Sequence, residues 1–165
     1  MHRDAWARRL KIDIAKPWLI AVAMQRPGDK MRSHEILAQA LGRIAERGWQ
    51  LILVGDGPAR AQVDAAFAPL ASRVVRAGQL DEASLPGLLA ACDLFVWPAI
   101  SEAYGMAILE AQASGLPAVA GASPGVAAIV ADGESGLLAP EGNVAAFADA
   151  VAALLDDADR RALFG

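Results

Sequence analysis

Two pairs of charged residues stand out by type and spacing. Arg26 and Lys30 lie in the segment Met24-Gln25-Arg26-Pro27-Gly28-Asp29-Lys30. An arginine grips phosphate oxygens through two parallel N–H bonds, and a lysine adds a mobile point charge. At the carboxyl end of a strand and ahead of a helix, two such cations would neutralise a diphosphate leaving group. A solvated turn, with Asp29 paired to a neighbour, fits the same residues. The second pair is Glu102 and Glu110. Glu102 precedes a helix, and Glu110 stands about two turns into it among Met106, Ala107, Ile108, Leu109 and Ala111. Carboxylates in so apolar a helix are rarely buried without a partner. A sugar suits one, because a carboxylate accepts bonds from two vicinal hydroxyls. The free N–H groups of Gly105, Met106 and Ala107 at the helix start add an anion site, and Gly105 leaves room for close approach. The plainer readings are an exposed helical glutamate at 110 and a helix-dipole partner at 102.

The elements that must position these residues follow a regular alternation. Residues 18–24, WLIAVAM, form a continuous apolar run, the pattern of a strand buried on both faces. A helix is expected from about Ser33 to Arg47, stopped by Gly48. Strand two is Gln50 to Val54, ending at Gly55-Asp56-Gly57-Pro58, and Pro58 suits the first turn of a helix to about Leu70. Arg73 to Arg76 makes a short strand closed by Gly78. Asp81 caps a helix to Ala91, with Pro86 and Gly87 weakening its middle. Strand four is Asp93 to Trp97, followed by a helix from Tyr104 to Ser114. Residues 117–120 form strand five, 125–130 a short helix and 136–139 strand six. Asn143 caps a long helix to about Leu155, and one or two helical turns trail to Phe164. Six strands each followed by a helix imply an α/β domain: a six-stranded parallel sheet between two helical layers, Rossmann-like. Ligands of such sheets bind beyond the carboxyl ends of the strands, near the reversal of strand order. The loops after strands one, two and four are therefore the places for chemistry.

Composition removes several classes. The chain has 165 residues, 55% of them hydrophobic and 21% charged, so it folds as one domain and is not disordered. No apolar run approaches the ~20 residues of a membrane span, and charged Met1-His2-Arg3-Asp4 opens no secretion signal. A net charge of -4 argues against nucleic acid. The basic cluster Arg3, Arg8, Arg9 and Lys11 reads as a solvated helix face. Cys92 is the only cysteine, fits a small core residue and agrees with a reducing cytoplasm. His2 and His34 have no partner at ligand spacing, so neither a metal site nor a Ser-His-Asp triad is expected. One glycine after strand one, and Arg60 where a third glycine would follow Gly55 and Gly57, disfavour a NAD fingerprint.

The larger pattern is Pro-x-x-Ser-Glu-x-Tyr-Gly-x-x-x-x-Glu-Ala-x-Ala-x-Gly-x-Pro, holding Glu102 and Glu110 as Glu-x7-Glu. With Arg26 and Lys30, Gly55-x-Gly57-Pro58, Ala91-x-Asp93-Leu94 and Asp132-Gly133-x-x-Gly136-Leu137-Leu138, the chain resembles the group 1 glycosyltransferases (family 4) from about residue 17 onward. The resemblance implies the C-terminal half of a GT-B fold, a donor-binding domain spanning 1–165, and a retaining sugar transfer from a nucleotide donor without a bound metal or other cofactor. It assigns Arg26 and Lys30, with Gly28 between them, to the donor diphosphate, and Glu102 to the donor sugar. Glu110 would bind the ribose hydroxyls. Tyr104, Gly105, Met106 and Ala107 would approach sugar or phosphates, and the base would lie near residues 76–80, around Gly78, met largely by main chain.

Departures from the family pattern are specific. Gln25-Arg26 and Lys30-Met31 replace Gly-Arg and Lys-Gly, with only three residues between the cations. Ala128 stands where a glutamate is common. Members have two such domains with the active site between them, and this chain is similar only to the second. The expectation is thus a donor domain whose partner is the absent N-terminal acceptor domain, inactive alone, with peripheral membrane contact open to the whole enzyme. A non-catalytic sugar-nucleotide-binding or interaction module would use the same sheet, as would a sugar-nucleotide epimerase with its own second domain.

Overall fold

The fold is seen in a computed structural model that describes residues 2–165. The strands are β1 (Trp18–Val22), β2 (Gln50–Val54), β3 (Val74–Gly78), β4 (Leu94–Trp97), β5 (Ala118–Gly121) and β6 (Gly136–Ala139). They form one sheet in the order β3-β2-β1-β4-β5-β6, and every neighbouring pair is parallel. This is the six-stranded three-layer sheet expected from the alternation. The order reverses between β1 and β4, so the loops after these two strands diverge and leave a crevice.

Helices α1 (Arg3–Leu10), α2 (Asp29–Gly42), α3 (Arg60–Phe67), α4 (Leu85–Ala91), α5 (Met106–Ala113), α6 (Pro124–Ala127), α7 (Val144–Leu155) and α8 (Ala158–Phe164) cover the sheet. On one face α2 packs between α3 and α7, with α8 against α7; on the other α4 packs between α1 and α5. Both faces being covered explains why β1, β2, β4 and β5 are apolar without alternation. Trp6, Trp18, Trp49, Trp97, Phe67, Phe95 and Phe147 are the bulkiest side chains of the core, and Asn143 caps α7 as expected, accepting from the N–H of Ala146 at 2.9 Å.

Several boundaries differ from the sequence reading. The α2 helix starts at Asp29, not near Ser33, so Lys30 stands in its first turn. Pro58 precedes α3 by two residues instead of opening it. Pro86 sits at the start of α4, where its missing N–H costs nothing, and so does not weaken the middle of a helix. The basic cluster is not wholly solvated. Arg3 reaches across to Asp93 at 3.0 Å, donates to the Ala91 carbonyl at 2.7 Å and stacks on Trp18. The same Asp93 oxygen accepts the Trp18 N–H at 2.7 Å, so one carboxylate ties α1 to the entry of β1 and β4.

Candidate functional site

The crevice is built from the ends of β1 and β4 and the starts of α2 and α5. After β1 the chain passes Met24, Gln25 and Arg26 and turns at Gly28 (φ 87°) into α2. This path is held from the β2 side. Gln25 donates its N–H to the Asp56 carbonyl at 3.0 Å, and the Ala59 N–H donates to Gln25 at 2.8 Å. A Cβ on Gly55 or Gly57 would overlap the backbone of Ala23 or Gln25. Gly55-Asp56-Gly57 is therefore a close-approach turn that seats the first loop, and its glycines serve packing.

After β4 the chain runs through Pro98 to Glu102 and enters α5 at Gly105, whose φ of 63° is left-handed. A Cβ there would also meet the tip of the Ile129 side chain, in the turn after α6, but the left-handed backbone is the main reason for this glycine. No side chain caps α5. The first N–H groups of an uncapped helix have no intrahelical acceptor, which leaves Met106, Ala107 and Ile108 with donors directed out of the helix end.

These elements bring Arg26, Lys30, Glu102, Gly105, Met106 and Ala107 to the wall of one cavity of about 280 Å³, floored by Val22 and Trp97. Lys30 Nζ donates to Glu102 Oε2 at 2.9 Å, with both side chains about four-fifths withdrawn from solvent. The Lys30 ammonium also lies 5.8 Å from the centre of the Trp97 ring. A second hollow of about 540 Å³ opens on the other side of this pair, beside Gly28, Ser101 and Tyr104. Electrostatically the placement is unusual. Lys30 occupies the positive end of α2, where the helix dipole disfavours a cation, and faces the positive end of α5. Glu102 supplies the one negative group that lines the smaller cavity. An anion entering there would meet two cations and two helix N-termini.

Not every residue expected at the site gathers here. Glu110 is exposed on α5 and opens on a different hollow, of about 520 Å³, shared with Glu82 and Leu85 at the start of α4. Gly78 lies at the end of β3, two strands from β1, where its carbonyl accepts the Gly55 N–H at 2.8 Å. Tyr104 and Met106 are exposed at the rim. Ala128 is exposed on the segment after β5. Among the described residues no three or more His, Cys, Asp or Glu side chains gather as a metal cluster. No helix of the described residues is long and apolar enough to cross a membrane. Cys92 is packed against the core, and burial pushes its thiol far above the usual range, which suits an inert core residue.

Directly beneath the site lie His34, whose spacing suits neither a metal site nor a triad, and Ser33, which the sequence marks only as a helix start. His34, one turn beyond Lys30 on α2, is buried and stacks edge-on against Trp97 with ring centres 4.8 Å apart. Ser33 is buried beside it and accepts the Ile100 N–H at 3.0 Å. The only available signal was their place on the face of α2 that also holds Ile36, Leu37 and Ala40.

A family model described as "Glycosyl transferases group 1" matches residues 16–157. The chain belongs to the group 1 glycosyl transferases. Among curated relatives it is 35% identical, over 72% of its length, to 2-deoxystreptamine glucosyltransferase of Streptomyces kanamyceticus, and covers 32% of that protein. It is 31% identical, over 81% of its length, to the sulfoquinovosyl transferase SQD2 of Arabidopsis thaliana, covering 26% of it. Among solved structures, sucrose-phosphate synthase from Thermosynechococcus elongatus matches 96% of the chain with a TM-score of 0.83 at 28% identity, over 41% of its own chain. The Anabaena protein HepE, solved with UDP and glucose, matches 98% with a TM-score of 0.81 at 25% identity, over 44% of its own chain. The domain is thus a GT-B-type Rossmann-like unit of this glycosyltransferase family, and it spans about a quarter to a third of these curated relatives.

Proposed function

We propose that this glycosyltransferase domain binds the nucleotide-sugar donor and forms the donor half of a two-domain enzyme that works with an N-terminal acceptor domain. The observation that carries this is the Lys30–Glu102 pair, set between the positive ends of α2 and α5 in one cavity with Arg26. Lys30 and Arg26 take the diphosphate oxygens, and the N–H groups of Met106 and Ala107 complete the anion site. As donor enters, the ammonium shifts from Glu102 to phosphate. Glu102 is then free to accept hydroxyls of the transferred sugar. When the sugar–phosphate bond breaks, negative charge grows on the departing diphosphate, and the same cations stabilise it without a metal. The free donors are fixed before reaction, so little reorganisation is needed. Glu110 and the segment around Gly78 take the ribose and base, on the side where the hollow of Glu110 opens. Transfer proceeds with retention, in the cytoplasm, and the domain alone does not turn over donor because it lacks the acceptor side of the cleft.

The test is a thermal-shift panel of UDP, GDP, ADP and their common sugar conjugates. Ligand at 100 times its dissociation constant adds about 2.7 kcal/mol, a rise on the order of 5–10 °C for a domain of this size. A rise with one nucleotide and its conjugates is the expected result. No rise with any of them, at concentrations that saturate two-domain relatives, contradicts the proposal.

A further inference from the structure

The loop that presents Glu102 is held in a conformation its own residues disfavour. Ala99 and Ser101 both adopt left-handed backbone, with φ of 57° and 52°. Neither is a glycine, so in each the Cβ crowds the following carbonyl, and such residues persist only where their surroundings over-determine them. The restraints come from two distant elements. Ser33 on α2 accepts the Ile100 N–H through its hydroxyl at 3.0 Å, in a contact sealed from solvent. Glu141, in the turn between β6 and α7, accepts the Ser101 N–H at 2.6 Å through a carboxylate oxygen. This second bond is charge-assisted and therefore among the stronger kinds. Within the loop, the Glu102 N–H reaches only the Ala99 carbonyl at 3.3 Å.

The two side chains grip successive peptide N–H groups immediately before Glu102. Ser33 also lies three residues after Lys30, on the same face of α2. One helix face thus carries the cation and anchors the loop that carries its carboxylate. Glu141 holds that loop from the β6 side, at the same carboxyl edge of the sheet, through the chain that leaves β6. We propose that Ser33 and Glu141 are positioning residues, which hold residues 99–101 in their left-handed bends so that the Glu102 carboxylate meets Lys30. Their effect on the donor sugar rests on the function proposed above; their effect on the Lys30–Glu102 geometry does not.

The ligand-free domain gives the decisive readout. Carbodiimide joins a lysine amine to a carboxylate only where the two are in contact, so the wild-type chain yields a Lys30–Glu102 cross-linked peptide on mass analysis. Ser33→Ala and Glu141→Ala are expected to lower that yield by roughly tenfold, the population change that loss of one such hydrogen bond produces. Glu141→Gln keeps an acceptor oxygen but removes the charge, so it is expected to lose clearly less of the yield than Glu141→Ala. Circular dichroism melts taken alongside show that each variant is folded. An unchanged yield in both alanine variants, or an equal loss in Glu141→Gln, overturns the proposal. A parallel titration with UDP, GDP, ADP and their common sugar conjugates reports on the function itself. Absence of binding there, with the cross-link behaving as expected, would sink the donor reading and leave the positioning role standing.

Discussion

Replacing Lys30 by alanine weakens nucleoside diphosphate binding by roughly 10- to 150-fold, the range for loss of hydrogen bonds to a charged group. The reason lies in what remains. Glu102 is left four-fifths withdrawn from solvent, without its cation at 2.9 Å, and facing the incoming phosphates. A carboxylate stripped of its partner in such a place repels the ligand as well as failing to help it. The double variant Lys30→Ala, Glu102→Gln should therefore bind better than Lys30→Ala alone. Glu102→Gln by itself should bind the bare diphosphate at least as well as wild type, because Lys30 no longer has to leave a carboxylate. Calorimetric titration of the four proteins with the nucleotide that the thermal panel selects reads all of this. Equal affinity in wild type and Lys30→Ala would remove Lys30 from the site.

Acid should destabilise the fold through His34. Burial is the main cause that lowers its pKa from 6.5 to about 4, and the charges of Arg76 and Lys30 act in the same direction, while the Met24 backbone opposes them. Both ring nitrogens are buried without a full hydrogen bond, between Trp97 and Phe67. The folded state therefore holds His34 neutral while the unfolded chain takes up a proton below about pH 6.5. Stability is complete above that value and is lost as pH falls toward 4. The shift is worth about 3 kcal/mol in full, and about 2 kcal/mol of it disappears between pH 7.5 and 5. Urea unfolding at those two values measures the loss, and His34→Leu should remove most of the difference. The same pH slope in wild type and His34→Leu would show that other groups carry the acid sensitivity. A charged His34 would also lie one helical turn from Lys30 and against the Trp97 ring that floors the same cavity.

Much of this architecture could be read from residue patterns because helices on both faces force the strands to be apolar throughout. Residues 18–24 and 50–54 declare themselves in that way, although β1 ends at Val22, two residues before the apolar run does, and Gly136–Ala139 matches its expected bounds. The start of α2 was not legible. Residues 29–32 are Asp, Lys, Met and Arg, and they offer no apolar spacing, so the first turn that places Lys30 looked like loop. Arg26, Lys30 and Glu102 could be singled out by type, and the crevice between β1 and β4 brings them together. Their supports could not. Ser33 and Glu141 act on backbone N–H groups 67 and 40 residues away in sequence, and no local pattern records such a bond. The burial of His34 is illegible for a related reason: it is imposed by Trp97 and Phe67, which belong to other elements. Arg3 looked solvated because Asp93, its partner, comes 90 residues later.

The proposed anion site lies where β1 and β4 part, at the starts of α2 and α5. Amide chemical-shift mapping of the isotopically labelled chain, titrated with UDP, GDP and ADP, tests it residue by residue. The nucleotide that binds is expected to shift the amides of residues 26, 28–30 and 102–108 most, those of Met106, Ala107 and Ile108 among them. Saturable shifts confined instead to the groove between α2 and α3, around Glu35, Gln39 and Gln62, would contradict it.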